Sequence, residues 1–133
     1  MGPTVAGVAY FVGVKFAGYS AAGALLNRAA GVHRPNPLGF GLARTGIGVA
    51  AGVSYAFALS WLLVTSGEIW FYPGLLPVRI LEWLLVLWLF YQTAPAIWQK
   101  RMRYVTLGTV WSYALDLVAL IAAFAIPGGF WIC

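Results

Sequence analysis

Long apolar runs, broken by short polar or proline-bearing connections, set the rhythm of this chain. Residues 5–26, 38–64, 77–98 and 104–126 are each apolar for about the 20 helical residues that a bilayer core requires. The pattern predicts an all-α integral membrane protein, with four transmembrane helices in one small bundle and short loops, forming a single domain over residues 1–133. Gly31 suits the end of the first helix, and Pro35, Asn36 and Pro37 disfavour helix in the first connection. The second run is longer than it needs to be, so it tilts or keeps its first turns among the headgroups. Residues 65–74 read as a loop carrying Glu68, with Trp70, Phe71 and Tyr72 as interfacial anchors and Pro73 and Gly74 as turn formers. Pro77 fits the first turn of the third helix, and Pro95 kinks or frays its end. Residues 99–103 form a tight basic loop, and Pro127, Gly128 and Gly129 stop the fourth helix.

Small residues give two runs a packing surface. Gly13, Ala17, Ala21 and Ala24 line one side of the first, and Gly18 and Ala22 continue that small-residue surface. Gly41, Thr45, Gly48, Gly52, Ala56 and Ser60 recur every three or four residues along the second, spacing that lets another helix approach closely. The third run is rich in Leu and Trp and has no glycine between Gly74 and Gly108, so it reads as the lipid-facing or partner-facing member.

Composition supports the membrane reading. Of 133 residues, 62% are hydrophobic and 8% charged, outside the range of soluble domains. The net charge of +5 would suggest nucleic acid in a soluble protein. Here the bases cluster in the connections, which fits anionic lipid headgroups, and no nucleic-acid partner is expected. Arg28, Arg34, Arg44, Lys100, Arg101 and Arg103 flank the first and third connections, whereas the second offers Arg79 alone. By the positive-inside rule the first and third connections are cytoplasmic and both termini face away from the cytoplasm, across an inner or plasma membrane. Lys15 lies inside the first run with no basic segment before it, so that run reads as a retained helix. Ala6 stands where a myristoylation signal needs Ser or Thr, and the single cysteine, Cys133, provides neither a disulfide nor a metal site.

Candidate chemistry is confined to a few charges. Lys15 and Asp116 each lie about ten residues inside the outer edge of their helices, roughly 15 Å down, where each would be costly alone. They are expected to pair. Thr109, Ser112 and Tyr113 share the helical face of Asp116 and extend a polar stripe from it. Such a stripe either fixes helix register or conducts protons or a small ion. Arg79 and Glu82, three residues apart near the outer end of the third helix, read as a surface pair reaching water. His33, Arg34, Arg44, Lys100, Arg101 and Arg103 form a cytoplasmic patch for anionic headgroups or a phosphorylated substrate, with Arg44 snorkelling to it. No phosphate loop, nucleophile–base spacing or ligand cluster is present, so no metal or cofactor is expected.

Three functions fit. The first is a small structural or accessory subunit of a larger membrane complex, packed against other subunits or its own copies through small-residue faces. The alternative is an oligomeric transporter or channel for a small ion or solute, using Lys15 and Asp116. An enzyme acting on an anionic lipid headgroup at the cytoplasmic face is weaker. A reporter fused after Cys133 is expected to behave as non-cytoplasmic; cytoplasmic behaviour would reverse the orientation.

Overall fold

The computed structural model describes residues 5–31, 36–62, 71–123 and 125, and within them the chain is helical, with no strand. The helices are α1 (Val5–Ala30), α2 (Pro37–Leu62), α3 (Phe71–Tyr91), the short α4 (Pro95–Trp98) and α5 (Arg101–Ala123). α1 and two stretches, Pro73–Tyr91 in α3 and Arg101–Ile121 in α5, are long and apolar enough to cross a membrane. α2 matches α1 in length, at 26 residues, but is not among these spans over its described residues.

Local chemistry explains the boundaries. Gly31 adopts φ 64°, the left-handed conformation that favours glycine, and its N–H donates to the Arg28 carbonyl, closing α1. Asn36 opens α2: its Oδ1 accepts the Leu38 N–H at 3.0 Å, and Pro37 occupies a position whose N–H needs no partner. α3 ends at Tyr91 because Ala94, held extended before Pro95, cannot continue it. The expected third span of 77–98 is therefore corrected at both ends. It starts at Phe71, runs through Pro77, and stops short of the α4 turn. The basic connection is also tighter than residues 99–103, since Arg101 and Arg103 already belong to the first turn of α5. The expected stop at Pro127, Gly128 and Gly129, the loop with Glu68 and Trp70, and the side chains of Phe71 and Tyr72 lie outside the described residues.

Each long helix packs on two others: α1 on α2 and α5, and α3 on α2 and α5. The four form a closed square in which α1 faces α3, and α2 faces α5, across a shared centre. Tyr91 donates to Asn27 Oδ1 at 2.6 Å, tying the end of α3 to the end of α1. Around it, Phe40 meets the rings of Trp83, Phe90 and Tyr91 at 5.5 to 6.1 Å between centroids, giving that end of the bundle an aromatic core. Trp83 is buried there, while Leu81, Leu85, Trp88 and Leu89 of the same helix are exposed.

The packing surfaces are also redrawn. The buried face of α1 is Gly7, Phe11, Lys15, Tyr19 and Gly23, while Gly13, Ala17 and Ala21 are exposed. Two residues turn a helix by about 200°, so Gly13, Ala17 and Ala21 point away from the bundle, while Gly18 and Ala22 of the same expected surface pack within it. Lys15 explains the reversal: a charge must point into the bundle, and the rest of its face goes with it. On α2, Gly41, Thr45, Gly48 and Gly52 are buried, whereas Ala56 and Ser60 are exposed. Each four-residue step gains about 40° on the helical repeat, so the ladder winds out of the interface after Gly52.

The glycines inside the interface separate from those outside it. A Cβ at Gly41 would lie 2.9 Å from the Ser20 backbone nitrogen and 3.0 Å from the Phe16 carbonyl oxygen, atoms that cannot move alone. At Gly46 it would meet nothing within 4 Å. Gly41→Ala is expected to destabilise the bundle by about 1–3 kcal/mol in reversible unfolding, and Gly46→Ala to leave it unchanged or slightly more stable. Equal effects would show that α1 and α2 do not meet at Gly41.

Candidate functional site

The helices aim their ionisable residues at the shared centre. Lys15 comes from α1, Arg44 from α2, Arg79 and Glu82 from α3, and Asp116 from α5; their exposures are 3%, 0%, 1%, 5% and 8%. Distances order them into a single file. Arg44 Nη2 lies 2.7 Å from Glu82 Oε2, and Arg79 Nη1 lies 3.5 Å from the same oxygen. Arg79 Nη2 then donates to Asp116 Oδ2 at 2.9 Å, and Asp116 Oδ1 accepts Lys15 Nζ. Charge alternates at every step, from Arg44 to Glu82 to Arg79 to Asp116 to Lys15. Each carboxylate is thus shared by two cations, the arrangement that makes burial of either sign tolerable.

Neutral groups hold the file in place. Ser112 Oγ lies 2.9 Å from Trp83 Nε1, 3.1 Å from Tyr19 Oη and 3.3 Å from Arg44 Nη2. The indole and the guanidinium can only donate, so they occupy both lone pairs of Ser112 and leave its proton for Tyr19. The Arg44 guanidinium also lies 4.6 Å from the Tyr19 ring centroid and 5.2 Å from that of Trp83. Lys15 Nζ lies 5.3 Å from the Phe11 centroid and 5.8 Å from that of Tyr19, distances at which ring faces stabilise a cation. Phe11, Lys15, Tyr19, Thr45, Gly48, Val49 and Arg79 bound a cavity of about 10 Å³. It has room for one water at most.

Several expected positions change. Lys15 and Asp116 are in contact. Of their neighbours, Ser112 and Thr109 are buried on the same face, and Tyr113 is half-buried. Arg44 does not snorkel to the headgroup patch. It turns inward, because Glu82, Ser112 and two aromatic rings meet it there. Arg79 and Glu82 are not a surface pair: with α3 beginning at Phe71, Arg79 is more than two turns inside the helix and both residues face the centre. Lys100, Arg101 and Arg103 are exposed, with Arg101 stacked on Trp98 at 5.2 Å, while His33 and Arg34 lie outside the described residues.

Sequence reading missed Tyr19 and Trp83 as participants, although a signal was present. Lys15 and Tyr19, Arg79 and Trp83, and Ser112 and Asp116 are each four residues apart, one above the other on a helix face. Among the described residues no three His, Cys, Asp or Glu side chains converge on a metal position. Comparison with family models, with curated proteins and with solved structures returns no match, so the site is read from its own geometry.

Sharing makes the two ends of the file unequal. Asp116→Asn removes one carboxylate charge from both Lys15 and Arg79, whereas Lys15→Met leaves Asp116 paired with Arg79. Asp116→Asn is expected to cost about 3–5 kcal/mol and Lys15→Met less than half of that, measured by unfolding in one detergent. The reverse order would show that Asp116 does not bridge the two cations.

Proposed function

We propose that the chain is a four-span integral membrane protein that carries a small ion through its interior, with the alternating file of charges as the route. The observation carrying this reading is that all four long helices deliver an ionisable side chain to one buried file. Ionisable residues inside spanning helices are expensive and mark ion or proton pathways by default. Because each carboxylate has two cationic partners, one contact can open while the other holds. Partners can then be exchanged stepwise without any charge being left bare. The small central cavity suits a carrier or relay better than an open pore.

The fourth span is part of the same proposal. α2 is long enough to cross a bilayer and packs against α1 and α3, two helices apolar enough to do so. Its one charge, Arg44, is turned inward and paired, which removes the main objection to burying it. We place the ends bearing Lys100, Arg101 and Arg103 at the cytoplasmic face, in contact with anionic lipid. Arg44 no longer belongs to that patch, which weakens the lipid-enzyme reading.

A second reading, the accessory subunit, is favoured by one feature. Gly13, Ala17 and Ala21 form a small-residue face on α1 that no other part of the described chain covers. Other membrane subunits or a second copy would fit against it. Mild extraction and mass determination separate the readings, since this one requires larger chains or a second copy to co-purify.

Reconstituted vesicles test ion carriage directly. Wild-type protein is expected to raise proton or small-ion flux above protein-free vesicles. The charge-balanced double variant Lys15→Met/Asp116→Asn, which leaves Arg44, Glu82 and Arg79 paired, is expected to abolish it. Flux in the double variant equal to wild type, or none in wild type, would remove the reading.

A further inference from the structure

α1 and α5 meet closely near the middle of the bundle and part toward one end. Leu115 fills the place where a Cβ on Gly18 would lie, and the Trp111 Nε1–H donates to the Gly18 carbonyl at 3.0 Å. Between that contact and the end carrying Arg28, Arg101 and Arg103, a cavity of about 450 Å³ separates the two helices. Its size is that of a pocket for a small ligand. The Trp83 indole, packed on Gly108, reaches over from α3 to form its floor. Its walls, Ala22 and Ala29 on α1 and Leu107 and Ala114 on α5, are apolar. Leu25, Leu107 and Val110 are exposed, so the cavity is a cleft open along its outer side, which in a spanning bundle faces lipid.

Length and charge identify the occupant. Along α5 the lining runs from Tyr104 to Ala114, ten residues and about 15 Å, or half of a bilayer core of about 30 Å. A helix from a partner or a second copy would cross both leaflets and need a groove of full length. An acyl chain ends at the midplane, as this cleft does beside Gly18. The mouth adds positive charge. Lys100 stands one turn before Tyr104, its carbonyl accepting the Tyr104 N–H at 3.2 Å, and Arg103 stands one turn before Leu107. Both are exposed, and side chains tilt toward the start of a helix, so the two bases lie at the foot of the cleft. Arg28, beside Ala29, is exposed in the last turn of α1. Arg101 is held instead against Trp98. Basic groups at the ends of spanning helices favour anionic headgroups.

We propose that the cleft between α1 and α5 binds one anionic phospholipid, with an acyl chain along Trp83 and the headgroup phosphate on Lys100 and Arg103. The site rests on the placement of this end of the bundle among anionic headgroups and is independent of ion carriage. The bound chain bridges α1 and α5 where they stand apart. It also lies one side chain from the buried charges, since the indole forming the floor donates to Ser112 at 2.9 Å.

Native mass spectrometry of the delipidated protein in detergent tests the site, with dioleoyl phosphatidylglycerol or dioleoyl phosphatidylcholine added in parallel. Wild type is expected to bind a first phosphatidylglycerol about tenfold more tightly than phosphatidylcholine. Ala29→Leu/Ala114→Leu fills the cleft, keeps every charge, and is expected to lose that tight site. Lys100→Gln/Arg103→Gln keeps the cleft and is expected to bind the two lipids alike. Ala50→Leu, an equal enlargement at an exposed position of α2, is expected to behave like wild type. A wild type without preference overturns both the site and the placement of this end among anionic headgroups. A preference that survives filling of the cleft overturns the site and keeps that placement. Wild-type dimers that dissociate when the cleft is filled make a second copy the occupant, and also overturn it. If the double cleft variant fails to fold, Ala29→Leu alone decides by the same comparison.

Discussion

A charge in an apolar bundle is tolerated only where an opposite charge meets it, and Asp116 is where that constraint is felt most widely. Its two oxygens receive Lys15 from α1 and Arg79 from α3, helices that stand diagonally across the square and meet otherwise only through long side chains such as Tyr91 on Asn27. The carboxylate therefore joins three of the four long helices through one side chain. Glu82 brings in the fourth through its ion pair with Arg44. Two carboxylates thus set the rotation of every spanning-length helix about its own axis. Hydrophobic burial alone could not, because the outward faces are as apolar as the inward ones and lipid would accept either.

Close approach lets these side chains reach a common centre. Gly18 faces Leu115, Gly41 faces Ser20, and Gly108 faces the Trp83 indole, each at a distance that leaves no room for a methyl group. These glycines lie one or two turns from the charges, where they bring α1 to α2, α1 to α5 and α3 to α5. In the aromatic layer of Tyr19, Phe40, Trp83 and Tyr91, all but Phe40 add a polar tip to an apolar body. Tyr19 and Trp83 end on Ser112, and Tyr91 ends on Asn27, so the rings close the base of the polar centre without stranding their own hydrogen-bonding groups.

Much of this was legible before any coordinates. Apolar run length located each long helix to within a few residues at most ends, because a span must satisfy its backbone internally whatever its neighbours do. Depth along two helices was enough to suggest that Lys15 and Asp116 meet. What failed was rotation and choice of partner. Small residues at Gly13, Ala17 and Ala21 suggested a contact face, and a single lysine two positions away outweighed them. Arg79 and Glu82 were misread through a boundary: starting the helix at Pro77 puts them in its first turns near water, and starting it at Phe71 carries them inside. Arg44 was misread because a long side chain reaches either an interface or a centre, and the residues that decide between them come from α3 and α5. Such information is held between helices, not along one.

Stability alone does not account for the centre. Replacing a buried ion network by well-fitted apolar side chains is often neutral or stabilising, so five ionisable residues in a chain this small need another justification. Register is one, since a mispaired rotation would leave a charge bare. Register, however, is served best by a balanced network, and a single pair between each set of neighbours would do. Among the described residues each carboxylate instead has two cationic neighbours, so one contact can be exchanged while the other holds, a property that register alone does not require.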